Sequence, residues 1–482
     1  MVRAQSPNAD RDAKPRRGSP GARAFLRRRV SLCVSLALLL RAGHGTAQDA
    51  VLYVTEARLG RVAAYRIGAN GHVHETPFQH IDTGPDTNPR RLAVHPNACA
   101  LYVATGNNIE VFQIASDGHL SRFTHDEDTL ASMRDIKPAN YQFLAVHPAG
   151  LALYASLTAL DQIREYALNP DGSLRRAFTT SEPPVEKDPP VASCVQGVQQ
   201  VRYQGLIATE TSLYAAGHAP PQIEIFPLDA AGAIESVPLR PPANPDDDDI
   251  LQVPQVYSDC KRNRPTFAHR FSTARNKKKF LNPKTLLLDP VAGIIYAADR
   301  FLGRIFGCFI AADGGLPDCP GHDKDVTNNT GLLPMQSKVS AAYEQMVLSE
   351  DWILFASVFP NGRVRAFRPV PAQGKIKRRK AKSNDVFATP VGLAVKGQIL
   401  YVAQGELDRI DQFAIDSDGF KNEDPLWETD KIKQSFPNGV IVVTPNQDPA
   451  ACAATSTTTS TTPSVSTSTT TTVLATTTTT TL

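Results

Sequence analysis

Residues 100–120 read ALYVATGNNIEVFQIASDGHL, and this stretch decides the fold. It opens on an apolar LYVA run, crosses a short loop, continues as a strand of alternating polarity, and ends on an Asp-Gly turn followed by Leu. Period-2 alternation on both sides of a short loop predicts two antiparallel strands. The Asp-Gly pair supplies the positive φ that a tight hairpin turn needs. The phrase recurs from Val51 (VLYVTEARLGRVAAYRIGANGHV), Ala152 (ALYASLTALDQIREYALNPDGSL) and Ser212 (SLYAAGHAPPQIEIFPLDAAGAI). Three further copies start at Ile294, Ile353 and Ile399, which makes seven units.

A short, nearly all-apolar run precedes every unit but the first: RLAVHP at Arg91, FLAVHP at Phe143, GLIAT at Gly205, TLLLDP at Thr285, QMVLSE at Gln345 and GLAVKG at Gly392. Such runs suit strands buried on both faces. The run missing from the first unit stands at the other end, as GVIVVTPN from Gly439 to Asn446. The expected fold is therefore all-β: a seven-bladed β-propeller whose ring is closed by the C-terminal strand joining the first blade. Closure of that kind removes exposed sheet edges. Long insertions are expected between the outer strand of one blade and the inner strand of the next, at roughly 179–200, 236–283 and 320–340.

The flanks read differently. Arg27, Arg28 and Arg29 precede an apolar run from Val30 to Leu40, and Gly45-Thr46-Ala47 follows. That is the pattern of an export signal over residues 1–47, too short in its apolar part to span a membrane. Both a general secretory and a twin-arginine route fit it. The propeller is expected over 48–447. From Thr455 to Leu482, 17 of 28 residues are Thr, so 448–482 is expected to be a Thr/Ser-rich disordered tail, either bare or an O-glycosylated stalk.

Charge follows the same division. The first 47 residues hold ten Lys/Arg and two Asp/Glu, a net of +8, so a chain of net charge +3 leaves −5 on the exported part. Nucleic-acid binding thereby loses its compositional support. The expected setting is the periplasm, cell surface or exterior, with no membrane span in the mature chain, and a monomer is expected. Six cysteines follow the signal, and an even number in an exported chain points to disulfides. Cys308 and Cys319 flank the Asp313-Gly314 turn, and Cys99 and Cys452 reach the same face of neighbouring blades. Cys194 and Cys260 lie in successive insertions. The expected pairs are 308–319, 99–452 and 194–260.

The insertions and the entries of the inner strands open on one face of the propeller, where a site is expected. Aligned on the apolar triplet, the inner strands carry Arg90, Gln142, Gln204, Lys284, Glu344, Val391 and Gly439 at one ring of the channel. Tyr141, Tyr203 and Tyr343 stand one residue earlier in three blades. Arg90, Arg91 and Lys284 would hold a carboxylate or an oxyanion. Glu344 would activate water. Gln142, Gln204 and the three tyrosines would line the ligand. A ring that merely solvates the channel mouth is the plainer alternative. His95 and His147 occupy equivalent turns on the other face and read as turn residues. Asp246–Asp249 lacks the glycine-spaced pattern of calcium loops. No metal ligand set and no cofactor is expected, with a divalent cation such as calcium left open. The basic stretches 261–279 and 375–382 read as solvated faces, or as contacts for a surface glycan or protein.

Taken together, PRRLAVHPN at Pro89, the LYV strand and the hairpins SDGHL, PDGSL and ADGGL resemble the lactonase-type seven-bladed propellers. These include 6-phosphogluconolactonase-like proteins and fungal carboxymuconate cyclases. The resemblance runs from Val51 to Asn446. It implies a small-molecule site and hydrolytic ring-opening of a lactone. In that family the inner strand often opens on Pro-Arg-His, whose basic residues line the pocket; here Pro89-Arg90-Arg91 has Arg91 in place of the His. A non-catalytic binding or scaffold propeller is the alternative in a different class. G-x-S-x-G, H-E-x-x-H and Walker patterns are absent from the sequence, so serine-hydrolase, zincin and nucleotide-binding readings lack support.

Overall fold

A computed structural model describes residues 50–448 and Cys452, apart from connecting stretches of which the longest are 124–140, 175–193, 235–268, 273–282, 317–341 and 379–388. The expected export segment at 1–47 and the tail after Cys452 lie outside the described residues. Among the described residues the strands form seven antiparallel sheets. The second blade shows the pattern: Arg91–Val94, Ala100–Ala104, Ile109–Ile114 and Leu120–Arg122 pair in sequence order, from the inner strand outward. The fold is all-β, with the inner strands of successive blades side by side.

The first blade is built from both ends of the chain. Pro437–Val443 pairs with Ala50–Glu56, matching Val51 with Val443 and Tyr53 with Ile441. Beyond that strand the chain is pinned to the second blade. Cys452 is disulfide-bonded to Cys99 across 353 residues, the Asn446 amide donates to the Asn97 carbonyl at 3.0 Å, and Gln447 donates to the Ser116 carbonyl at 2.7 Å. Cys308 is disulfide-bonded as well. Cys319 and Cys260 lie outside the described residues, and with them the expected pairs 308–319 and 194–260.

The insertions differ from expectation in one respect. The third and fourth blades draw their outer strands, Cys194–Gln196 and His269–Ser272, from within the insertions rather than from the residues just after the hairpin turns at Gly172 and Gly232. Those residues make only single bridges, Leu168 to Leu174 and Leu228 to Ile234.

The blades are joined by one repeated contact. In five blades the second-strand tyrosine is buried and its hydroxyl donates to a carbonyl in the next blade's hairpin turn, whereas the buried Tyr296 hydroxyl of the fifth blade makes no such bond among the described residues. Tyr53 reaches Gly118 at 2.7 Å, Tyr102 reaches Gly172 at 2.7 Å, Tyr154 reaches Gly232, and Tyr214 reaches Gly314 at 2.7 Å. Tyr401, in the seventh blade, reaches Gly71 in the first at 2.8 Å. The acceptor is always the turn glycine, held at φ between 76° and 85°, a conformation costly for residues with a Cβ. In the sixth blade Phe355 takes the place of the tyrosine. Beside these hairpin turns, His95 and His147 bond the Gly150 and Glu210 carbonyls of the following blade at 3.1 and 3.2 Å, a turn role.

The seams also bury charge. One position on the third strand carries Glu110, Arg164, Glu224, Arg365 and Asp411, all at most 4% exposed. Asp411 packs in the seventh blade beside Arg409 and the Gln404 amide. Burial nevertheless raises its carboxyl to about 6, the Arg409 charge and the Gln404 bond opposing the shift.

Two outcomes follow from this packing. Tyr401→Phe should lower the unfolding free energy by about 1 kcal/mol, the net worth of a typical buried hydrogen bond. Denaturant titration reads this directly, and an unchanged midpoint at unchanged slope would show that the seam does not need the bond. Asp411 has a folded pKa above its unfolded value, so its contribution to stability is full below pH ~4 and is lost as pH rises through about 6. The melting temperature of Asp411→Asn, relative to wild type, should therefore climb from pH 4 to 7.

Candidate functional site

The site is made by a slip in strand register. Where the inner strand enters the third to seventh blades, its pairing with the second strand shifts, between Tyr141 and Phe143, Tyr203 and Leu206, Pro283 and Thr285, Tyr343 and Met346, and Pro390 and Gly392. A bulge frees a residue from the ladder and re-aims its side chain. The freed residues include Gln142, Gln204, Lys284 and Glu344. Hydroxyls at one equivalent second-strand position brace these irregular backbones: Ser156 Oγ receives the Phe143 N–H at 3.2 Å, and Ser357 Oγ receives that of Gln345 at 3.0 Å. In the first blade Thr55 Oγ1 receives the Gly439 N–H at 2.6 Å and donates to the Arg90 carbonyl at 3.3 Å. Gly439 is needed there, because a Cβ would overlap the Arg90 carbonyl oxygen.

The slip brings charged groups from separate blades together. Lys284 Nζ, in the fifth blade, is ion-paired to Glu344 Oε2 in the sixth, each side chain 12% exposed. Arg91 of the second blade reaches the sixth across the channel. Its Nη1 donates to Gln345 Oε1 at 2.9 Å and its Nη2 to the Glu344 carbonyl at 3.1 Å. The guanidinium also lies 5.1 Å from the centre of the Phe143 ring, in the third blade. Burial pulls Arg91 below the usual arginine range, Glu344 acting against this and Arg90 adding to it. Burial lowers Arg90 too. The Arg90 guanidinium makes no hydrogen bond or ion pair with the described residues.

Arg90, Arg91, Lys284 and Glu344 are thus gathered at one end of the channel, three cations to one carboxylate. Gln142 is half-buried beside them in sequence register, and Gln204 is buried with its Oε1 unpartnered among the described residues. The tyrosines require a correction. Tyr141, Tyr203 and Tyr343 are buried, and they serve the blades rather than a ligand. The Tyr141 hydroxyl meets Tyr166 at 3.1 Å and Arg164 at 3.3 Å, and Tyr203 donates to Glu224. Tyr343 packs edge-on against Phe367. They precede the slip, so they keep the pleat that faces the neighbouring blade, where charged third-strand residues need partners. Gln345 and Phe143 went unnoticed in the sequence. Their one signal was that they align with Arg91, immediately before the apolar triplet.

Residues 44–190 match the family described as lactonase, seven-bladed β-propeller. The periplasmic gluconolactonase of Pseudomonas aeruginosa shares the fold, with a TM-score of 0.57 at 15% identity over 82% of this chain and 99% of that one. A Bacteroides fragilis protein, provisionally assigned as a 6-phosphogluconolactonase, gives 0.55 at 15% identity over 83% and 99%. The chain resembles the lactonase-type seven-bladed propellers. No curated protein matches it by sequence.

At this end of the channel the Lys284–Glu344 pair is the interaction most exposed to test. Lys284→Met should leave a partly buried carboxylate without its cation and lower stability, while Lys284→Met/Glu344→Gln should recover part of the loss. A coupling of about 1 kcal/mol or more in the double-mutant cycle is expected. Strict additivity in denaturant titrations would mean the two side chains do not interact in solution.

Proposed function

We propose that this chain is an exported lactonase-like propeller that binds a small anionic lactone at the insertion-bearing end of its channel and opens the ring by hydrolysis. The observation that carries the reading is the meeting of Arg91 and Lys284 with Glu344, with Arg90 next to Arg91 in the chain, in a protein that resembles lactonases. The cations suit an anionic substituent and the oxyanion that forms when water adds to the lactone carbonyl. Glu344 takes the proton of the attacking water. Collapse of the tetrahedral intermediate breaks the ring C–O bond, and the proton passes to the departing ring oxygen, giving a hydroxy acid. The same reading places the protein in the periplasm or outside the cell as a monomer, and takes the pairing of Pro437–Val443 with Ala50–Glu56 as the closure of the ring.

A second reading, a non-catalytic binding propeller, is favoured by one observation: Glu344 is already ion-paired to Lys284. Turnover separates the two. Mature protein should hydrolyse D-glucono-δ-lactone or its 6-phosphate in a pH-stat assay. Glu344→Gln should cut kcat by about 10²-fold or more, with KM little changed. Arg90→Ala should weaken binding about 10- to 100-fold. Absence of turnover across a panel of aldonolactones would favour the binding module.

A further inference from the structure

Arg91 and Gln345 form a strut across the channel that lactone chemistry does not by itself require. Gln345 stands in the bulge of the sixth blade's inner strand. Its Oε1 receives the Leu393 N–H at 2.9 Å and its Nε2 donates to the Leu393 carbonyl at 3.1 Å. One side-chain amide thus bonds both backbone groups of a residue in the seventh blade's inner strand, as a paired strand would. This fixes the amide plane. The remaining acceptor capacity of Oε1 goes to Arg91 Nη1, which has come from the second blade. Phe143, in the third blade, covers the guanidinium. Four blades therefore fix one cation near the axis.

Among the described residues no carboxylate is ion-paired to that cation. Gln345 is neutral, the Glu344 contact is through its backbone carbonyl, and the Glu344 carboxylate is bound to Lys284. Two of the five N–H donors of Arg91 are occupied by these bonds. A half-buried cation with spare donors and no carboxylate ion-paired to it matches a carboxylate or phosphate group, and a fixed guanidinium binds it without the entropy cost of ordering a long side chain.

We propose that Arg91 is the anion anchor of the channel and that Gln345 is its positioning residue, holding the guanidinium across the bore. This rests on reading the channel end as the ligand site. The ligand then enters from the insertion face and lodges its anionic group against the strut.

The test uses D-gluconate as a carboxylate probe, titrated calorimetrically at low salt, together with the Nε–Hε signal of Arg91 in arginine-labelled protein, assigned by its loss in Arg91→Lys. In wild type the signal should exchange with water at least about tenfold more slowly than those of exposed arginines. Gln345→Leu should remove that protection and weaken gluconate about three- to tenfold. Gln345→Glu should keep the protection, since the carboxylate still holds Arg91, yet weaken gluconate about tenfold or more by neutralising it. This split is not expected of a merely structural glutamine. Fast exchange in wild type, protection that survives Gln345→Leu, or wild type that fails to bind gluconate would each overturn the proposal. Gluconate binding with the expected split, but no lactone turnover, would overturn only the hydrolytic reading and leave the strut in place.

Discussion

The molecule depends on a hydrogen bond from a buried tyrosine hydroxyl to the turn of the next blade. A four-stranded blade cannot cover both of its apolar faces alone, so it must stack on neighbours. Apolar packing is non-directional and would tolerate sliding of one blade over another. The bonds from Tyr53, Tyr102, Tyr154, Tyr214 and Tyr401 remove that freedom, because a buried hydroxyl left unpaired is costly. Each bond fixes a second strand against the outer hairpin of the following blade. The spacing of the blades, and hence the bore of the channel, follows from it.

The channel end inherits this rigidity and adds a local irregularity. Register slips at the inner-strand entries turn Lys284 and Glu344 out of their ladders, and second-strand hydroxyls such as Ser156 and Ser357 hold the slipped backbone. Side chains placed on braced strands are held more firmly than side chains on loops. That is why Arg91 can reach from the second blade to the sixth and find Gln345 in place.

Charge is distributed over two layers with different purposes. In the seams, Arg164 and Glu224 are paired with tyrosines of their own blades, and Asp411 keeps a raised pKa because burial outweighs its partners. These groups specify packing at some cost in stability. At the channel end the balance is three cations to one carboxylate, and the Arg90 guanidinium makes no hydrogen bond or ion pair with the described residues. An excess of that kind is expected where a ligand supplies the missing charge.

The sequence by itself determined the blades. The LYV-like second strand, the alternating third strand and the turn ending on glycine are local signals, governed by pleat periodicity and the φ preference of glycine, and the pattern recurs seven times. It also placed Arg90, Lys284 and Glu344 at one level of the inner strands, with Arg91 the next residue along, since equivalent positions in a repeat share a height. Only the tertiary structure decided which of them meet. Alignment puts Tyr141 and Gln142 side by side, yet the slip between them sends the tyrosine into a seam. It gives no sign that Lys284 spends its charge on Glu344, or that Arg91 crosses to Gln345. Those contacts depend on the direction in which each bulged residue turns and on the width of the bore, and both are set by how seven blades pack rather than by any segment of the chain.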